Sequence, residues 1–343
     1  MLALKVEKHD AEKARQQLLQ QNALSKESKA FRKGNFVFFP ITGEVKVSVP
    51  HSIVKTKEKF HAVEKTKSLK ELLAEIIPEN QLAETVSSYE LVGSIAILEI
   101  PQKSSGKKKQ IAKLLLKNNK RVKSIWRKIG KRKGTYRLRS FEWLAGKKSL
   151  VTTHRENGCS IKIDLGKVFF NSKMANQRLR IAKLVKNREK VLVLFAGVGP
   201  FAVVIAKQNK KAAVKAVELN PHAIKLMKEN VALNKLEGRI GPIHADVLKF
   251  MKKHGKWADR ILMPLAFGGN AFLPSVVQDA AKGATIHYFA IGNERDGIYA
   301  QALDDVARTC TKAKRRFKTL NKTIGWPYAP RQSVVVIDFK LMN

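Results

Sequence analysis

The stretch Lys190 to Ala206, KVLVLFAGVGPFAVVIA, constrains this chain more than any other. Val191, Leu192, Val193 and Leu194 form an unbroken apolar run, the pattern of a strand buried on both faces of a parallel sheet. Gly197 and Gly199 follow, and Phe201, Val203, Val204 and Ile205 resume with the pattern of a helix packed back on that sheet. A strand, a glycine turn and a helix make a site for a nucleotide-like ligand: glycine lets backbone approach the ligand, and free N–H groups at the helix start face it. Ala213 to Leu219, AVKAVEL, predicts the next strand, closing on the acid Glu218. At roughly 20 residues beyond the turn, a carboxylate is placed to receive ribose hydroxyls. Asp246, after Ile243 at the end of a third candidate strand, is placed to meet an adenine amino group.

FAGVGPF lacks the third spaced glycine of the dinucleotide fingerprint, which disfavours NAD. It is similar to motif I of the class I methyltransferases that bind S-adenosylmethionine. A glycine turn that holds no ligand is the competing reading.

A chain of 343 residues has room for two or three domains. Lys and Arg number 67 against 28 acids, a formal charge of +39, yet 44% of residues are hydrophobic, so this is a folded protein and not a basic tail. Such a charge repels itself unless a polyanion neutralises it, and nucleic acid is the natural partner. No long apolar span or lipidation motif supports a membrane partner. The first residues, MLALKVEKHDAEKARQQ, contain no apolar signal core, so a cytoplasmic protein is expected. Cys159 and Cys310 are the only cysteines and have no ligand spacing around them, so buried thiols and no metal are expected.

Residues 1–30 are highly charged and helical in pattern. Residues 31–54 predict a small β unit, with alternation at Val45, Val47 and Val49 and a turn near Thr42-Gly43-Glu44. Phe38 and Phe39 suit a core more than base stacking. Residues 68–87 predict a helix and then a linker, with Pro78 a break. A strand is expected over Ile95 to Ile100. From Lys103 to Arg139 there is no acid, and Lys107, Lys108, Lys109, Lys113, Lys117, Lys120, Arg121, Lys123, Arg127, Lys128, Lys131, Arg132 and Lys133 crowd the stretch. Ile111, Leu114, Leu115, Val122, Ile125 and Trp126 supply an apolar face, so a helical element with a basic outer face is expected, suited to RNA phosphates. Ser160 to Asp164 alternates as a strand, Trp143 and Leu144 read as core, and Lys173 to Lys186 predicts a basic amphipathic helix.

The stretches SIAILEIP, YRLRSFEWLAGKKSLVTTHRENGCSIKIDLGKVFF, QRLRIAKLV, FAGVGPF, ELNPHAIKLMKENVALNKLE, ADRILM, TIHYF and PYAPRQSVVVIDFKL occur in this order between about residue 90 and the end. Together they resemble the archaeal and eukaryotic type of tRNA guanine-37 N1-methyltransferase; the first 85 residues match only weakly. The resemblance implies an α/β chain in three parts. Residues 1–88 would be a small α+β domain that docks on the outer corner of tRNA, with its linker. Residues 89–175 would be a middle α+β RNA-binding domain, and 176–343 a class I, Rossmann-like methyltransferase domain on a seven-stranded, mostly parallel sheet. Its last antiparallel pair would run through Thr285 to Ile291 and Ser333 to Phe339, with Trp326-Pro327-Tyr328 as the turn before the final strand. It implies S-adenosyl-L-methionine as cofactor, the anticodon loop of tRNA as target, and a monomer.

Carried over residue by residue, Phe195, Gly197, Gly199 and Pro200 match the cofactor loop, Glu218 the ribose carboxylate and Asp246 the acid near adenine. Arg137 matches an arginine that holds the target nucleotide and its developing charge; a surface phosphate contact is the plainer alternative. Asn157, in the HRENG loop, receives no role. Gln177 stands where the family commonly carries a glutamate as general base; an amide has no usable basicity near neutral pH, so it could hydrogen-bond guanine but not take its proton. Pro264-Leu265-Ala266 replaces the Asn-Leu-Pro that cups the target base, Val193 replaces an aspartate, Phe169 a tyrosine, and Asn171-Ser172-Lys173 an SPR-like segment. Losing a general base costs a factor of about 10²–10⁴. The altered pocket therefore leaves open a wyosine-pathway methyl or aminocarboxypropyl transferase at position 37, or a tRNA-binding homologue with impaired catalysis. Pro200 favours methyl transfer over the aminocarboxypropyl branch.

Overall fold

The computed structural model describes residues 1–25, 27–56, 58, 60, 61, 69–74, 76–78, 88–101 and 106–342. The chain divides into two compact units, 1–67 and 68–343.

The first unit is a four-stranded sheet in the order β2-β3-β1-β4, with β1 over Leu2–Glu7, β2 over Phe31–Lys33, β3 over Phe36–Pro40 and β4 over His51–Lys55. A helix, Ala11–Gln20, packs on it. The expectation of helix throughout residues 1–30 is corrected at β1, an inner strand that buries Leu4 and Val6 in the unit's core. The alternation at Val45, Val47 and Val49 does not form a strand, although Val45 and Val49 are buried. Gln17 of the helix and Gln21 at its C-cap replace the missing ladder. The Gln17 amide exchanges hydrogen bonds with Ser48 (2.7 and 2.8 Å), and Gln21 does so with the Lys46 backbone (2.7 and 3.2 Å). These backbone groups are thus satisfied without a neighbouring strand. Phe39 is core, and Phe38 stacks on Phe31 at 4.8 Å.

The second unit carries three sheets. In the first of them, β5 (Tyr89–Val92), β6 (Ile95–Leu98), β7 (Ser124–Lys133) and β8 (Leu138–Gly146) lie in that order. In the basic tract Lys108–Asn118 is helical, whereas Ser124–Lys133 is β7. Ile125 and Trp126 are successive and face opposite sides of the sheet. Ile125 packs with Ile111 and Leu115 of that helix, and Trp126 with Ile161 and Ile163 of β10 (Cys159–Asp164). A strand covered on both faces has no polar side, so its apolar pattern is easily mistaken for a helix. Leu144 is buried, whereas Trp143 is 38% exposed, against expectation. Of the helix and linker expected over residues 68–87, Leu69–Leu73 is helical; residues 75, 79–87 and 68 lie outside those described. β10 pairs with β9 (Val151–Glu156) as a separate ribbon.

The third sheet has seven strands, ordered β13-β12-β11-β14-β15-β17-β16. β11 (Lys190–Val193), β12 (Ala213–Glu218), β13 (Ile240–His244), β14 (Arg260–Met263) and β15 (Thr285–Asn293) are parallel. β17 (Gln332–Leu341) pairs antiparallel with β15, as expected. Trp326-Pro327-Tyr328 is not the turn; it belongs to β16 (Phe317–Ala329), an edge strand with three register irregularities that accommodate Pro327. One face buries Val191, Val193 and Ala216 under the helix Pro200–Gln208, and the other buries Leu192, Leu194 and Ile261 under Leu273–Asp279. This order is a doubly wound, mostly parallel α/β sheet, as the resemblance implied. Its strand order reverses between β11 and β14, and the crevice beyond the strand ends there is where open α/β sheets bind ligands. Both cysteines are buried.

Candidate functional site

A cavity of about 930 Å³ opens at that reversal. Phe195, Gly197, Pro200, Glu218, Asp246 and Pro264 line it from the seven-stranded sheet, and Arg137 lines it from the β7–β8 side. Gly199 shapes it from behind, as the left-handed N-cap (φ +82°) of the helix that starts at Pro200. A Cβ at Gly199 would stand 2.7 Å from Met227 Cγ, so the helix and its neighbour approach closely only because the residue is glycine.

The glycine loop works differently from the expectation. Its amides are not all free: Gly197 N–H donates to Glu218 Oε2 (2.8 Å) and Gly199 N–H to the Ala196 carbonyl (2.9 Å). Asn220 N–H donates to Glu218 Oε1 (2.7 Å). Glu218 is thus clamped at both oxygens, and each oxygen keeps a second lone pair for a ligand. Phe195 adopts φ +51°, rare for an aromatic residue, and packs edge-on against Phe272 with ring centroids 4.8 Å apart. Asp246 caps the helix Val247–His254 by accepting from Lys249 N–H (3.1 Å).

The opposite wall is cationic and aromatic. Arg137, also left-handed (φ +54°), donates from Nη1 to the Phe267 carbonyl (3.0 Å), and its guanidinium lies 4.9 Å from the Phe267 ring centroid. Desolvation holds its pKa below the ordinary arginine value while Tyr328 opposes that shift; it remains a cation at neutral pH. Arg132 sits 4.3 Å over the Phe169 ring. Desolvation of its guanidinium, then the like charges of Arg139 and Arg137, lower its pKa to about 10. Lys128 and Arg139 complete the wall, and Tyr328 and Phe267 are exposed by half or more at its edge.

Gln177 is placed elsewhere. It is buried and not among the lining residues, although Met174 and Arg178 on either side of it are. Its Oε1 accepts from Arg180 Nε (2.6 Å), and Arg180 is held in turn by Asp338 (2.6 and 3.2 Å). Asp338 also accepts from His287 Nδ1 (2.6 Å), whose Nε2 faces Arg260 (2.7 Å). Burial disfavours the Asp338 carboxylate, but His287 and Arg180 together hold its pKa below the usual range. Burial likewise keeps His287 neutral, since its pKa lies below the ordinary value despite Asp338. Asn157 braces the start of the next helix, Nδ2 donating to the Ala175 carbonyl (3.1 Å).

Among the lining residues that the sequence did not assign to the pocket are Glu90, Arg132, Arg139, Phe267 and Tyr328. Arg132 was visible only as one cation in a run. Tyr328 carried a signal in the aromatic cluster Trp326-Pro327-Tyr328, but a turn reading absorbed it.

The TRM5/TYW2 methyltransferase domain family matches residues 152–318, the TYW2 N-terminal domain family residues 69–149, and the tRNA methyltransferase 5 N-terminal domain family residues 3–49. The chain is 34% identical to tRNA (guanine(37)-N(1))-methyltransferase Trm5b of Pyrococcus abyssi, over 99% of each chain. It is 33% identical to the Methanocaldococcus jannaschii protein of the same name, over 99% of this chain and 98% of that one. A 35% match to tRNA 4-demethylwyosine(37)-methyltransferase Taw21 of Saccharolobus solfataricus spans 58% of this chain and 76% of the relative. Among solved structures, Trm5b from Pyrococcus abyssi superposes with a TM-score of 0.73 at 34% identity, each chain covered fully. The complex of aTrm5 with tRNALeu gives 0.70 at 31%, again over both full chains. TYW2 of M. jannaschii in complex with AdoMet gives 0.58 at 25%, over 75% of this chain and all of that one. With relatives this similar along its whole length, the chain belongs to the Trm5 family of tRNA (guanine(37)-N(1))-methyltransferases.

Proposed function

We propose that this protein transfers a methyl group from S-adenosylmethionine to N1 of guanine 37 in tRNA. The observation that carries the reading is one cavity that joins the clamped Glu218 of the glycine loop to a wall of arginines and aromatic rings. The donor set fits the cofactor: Glu218 has lone pairs for a ribose diol, Asp246 lies at the next strand end for an adenine amino group, and Phe195 and Val247 supply apolar surface. When bound there, the cofactor supplies an electrophilic methyl group on a sulfonium.

The protein's task is to hold N1 in line with that methyl, to remove the N1 proton and to stabilise the charge left on the base. Arg137 has one donor engaged by Phe267 and others to offer to O6 or to a flanking phosphate. Pro264, at the end of β14, has no N–H, so donation falls to Arg137. Phe169, Phe267 and Tyr328 offer ring faces to a base swung out of the anticodon loop. The net charge and the basic segment Lys107–Arg139 suit the phosphates around it. We assign residues 1–88 to docking on the outer corner of tRNA, 89–175 to RNA binding and 176–343 to cofactor binding. A cytoplasmic monomer completes the proposal; among the described residues no helix is long and apolar enough to cross a membrane.

The test is methyl transfer from labelled S-adenosylmethionine to unmodified tRNA with guanine at 37, followed by nucleoside mass spectrometry. N1-methylguanosine is the expected product. The match to Taw21 favours one second reading, methylation of a tricyclic wyosine precursor at the same position; product only on tRNA carrying that precursor would select it.

A further inference from the structure

We propose that Glu90 is the group that accepts the N1 proton of the target base, in place of the carboxylate missing at Gln177; this rests on the methyl-transfer reading above. Among the described residues four carboxylates line the cavity: Glu90, Glu99, Glu218 and Asp246. Glu218 is clamped between Gly197 and Asn220 on the cofactor side, and Asp246 caps a helix beside it. Glu99 is 82% exposed and, among the described residues, is held by a long 3.9 Å pairing with Lys128. Glu90 alone is both oriented and on the base-facing wall. Its side chain is 21% exposed, Ser172 Oγ donates to Oε1 (3.1 Å), and Lys128 Nζ lies 3.3 Å from Oε2.

Its neighbours connect it to the reacting region. Arg132, which interacts electrostatically with Glu90, lies over the Phe169 ring. The Phe169 carbonyl is 3.7 Å from where a Cβ on Gly197 would stand, so this wall abuts the cofactor loop. A carboxylate is also the acceptor pair that matches guanine's adjacent N1–H and N2–H₂ donors. In the step proposed, the N1–H bond breaks and an O–H bond forms on Glu90. The electron pair left on N1 forms the new bond to the methyl carbon, and the pair of the methyl–sulfur bond departs with sulfur. The groups facing Glu90 are Lys128 and Arg132 from β7 and Ser172 from the turn Ser172–Met174. Lys128 also reaches Glu99, so its charge keeps a partner once Glu90 is protonated.

The experiment is single-turnover methylation of a guanine-37 transcript by the full chain, from pH 6 to about 9, with wild type, Glu90→Gln, Glu90→Asp, Ser172→Ala and Lys128→Gln. Affinities for tRNA and for S-adenosylhomocysteine are measured alongside. Glu90→Gln is expected to lose about 10²–10⁴-fold in rate at neutral pH, with both affinities within about threefold of wild type. Its rate should then rise about tenfold per pH unit, because only guanine already ionised in solution reacts; wild type should be shallower, and Glu90→Asp intermediate. Glu90→Gln within about threefold of wild type overturns the proposal. So does an equal loss in Ser172→Ala and Lys128→Gln with the wild-type pH slope retained in Glu90→Gln, which makes Glu90 a brace. If wild type yields no N1-methylguanosine, the activity itself is overturned, an outcome distinct from either.

Discussion

Glu218→Gln tests how the glycine loop holds the cofactor. In the native site each carboxylate oxygen accepts one backbone N–H, from Gly197 at 2.8 Å and from Asn220 at 2.7 Å. An amide has one acceptor oxygen, so one of these N–H groups must face the new NH₂, donor against donor. The lost charge-assisted bond is worth about 1.5–3 kcal/mol, and the partly buried N–H left opposite a donor adds about 1 kcal/mol. Because the same loop must approach the ligand and the same carboxylate must accept its diol, most of that cost should appear in binding. At 1.4 kcal/mol per factor of ten, a loss of about 3 kcal/mol is roughly 100-fold in Kd. Isothermal titration with S-adenosylhomocysteine reads this directly, and tRNA affinity, measured by filter binding, should stay within about threefold. Glu218→Ala should bind at least as poorly as Glu218→Gln, since it keeps neither bond. A Glu218→Gln protein that binds S-adenosylhomocysteine with wild-type affinity would refute the clamp and remove the ribose role with it.

Gly199→Ala should destabilise the protein by about 1–3 kcal/mol, since a Cβ at φ +82° meets Met227; Met227→Ala should restore part of that in urea titrations. Arg137→Ala should lower the methylation rate by about 10²-fold or more, the scale of one transition-state donor, with S-adenosylhomocysteine affinity unchanged in the same titration. Gln177→Glu should change the rate by less than about threefold, because the new carboxylate would be ion-paired to Arg180, whose Nε already bonds that position at 2.6 Å; a large gain would show that the proton leaves by this route. His287 imposes a pH dependence on stability. Its folded pKa lies below the ordinary 6.5, so below about pH 6.5 the unfolded chain binds a proton that the folded chain refuses. Stability should therefore fall with pH below 6.5, by at most about 1.4 kcal/mol per pH unit from this group. His287→Gln should flatten that slope in urea titrations at pH 5 to 7.

The glycine-loop half of the pocket was legible because its signals are local. Val191 to Leu194 must be an inner strand, Gly199 must turn the chain, and Glu218 ends the adjacent strand, so each residue's place follows from its own neighbours in sequence. The sequence could not show that the Gly197 amide is spent on Glu218, since that bond exists only once β11 and β12 lie side by side. The strand β7 within the basic tract was hidden for a related reason. Ile125 and Trp126 are both buried because helix Lys108–Asn118 covers one face of β7 and β10 covers the other, and neither cover is adjacent to them in sequence.

The base-facing half depends on residues brought from far apart: Glu90 from β5, Arg132 from β7, Phe169 before the turn at Ser172, Phe267 after β14 and Tyr328 from β16. No spacing rule joins five such positions. Phe195, Gly197, Glu218 and Asp246 line the cavity on the glycine-loop side, where the proposed cofactor needs them, and Pro264 lines it too, whereas Gln177 is buried and outside the lining. At Gln177 the change comes with partners of its own: Arg180 bonds the amide, and Asp338, His287 and Arg260 hold Arg180 in place. A neutral amide here leaves Arg180 paired with Asp338 alone. A glutamate would add a second carboxylate to the same guanidinium, and its charge would be tied up in the pair. The structure thus accommodates glutamine at 177 as a settled part of a buried network, and on the proposal above the proton is accepted at Glu90 instead.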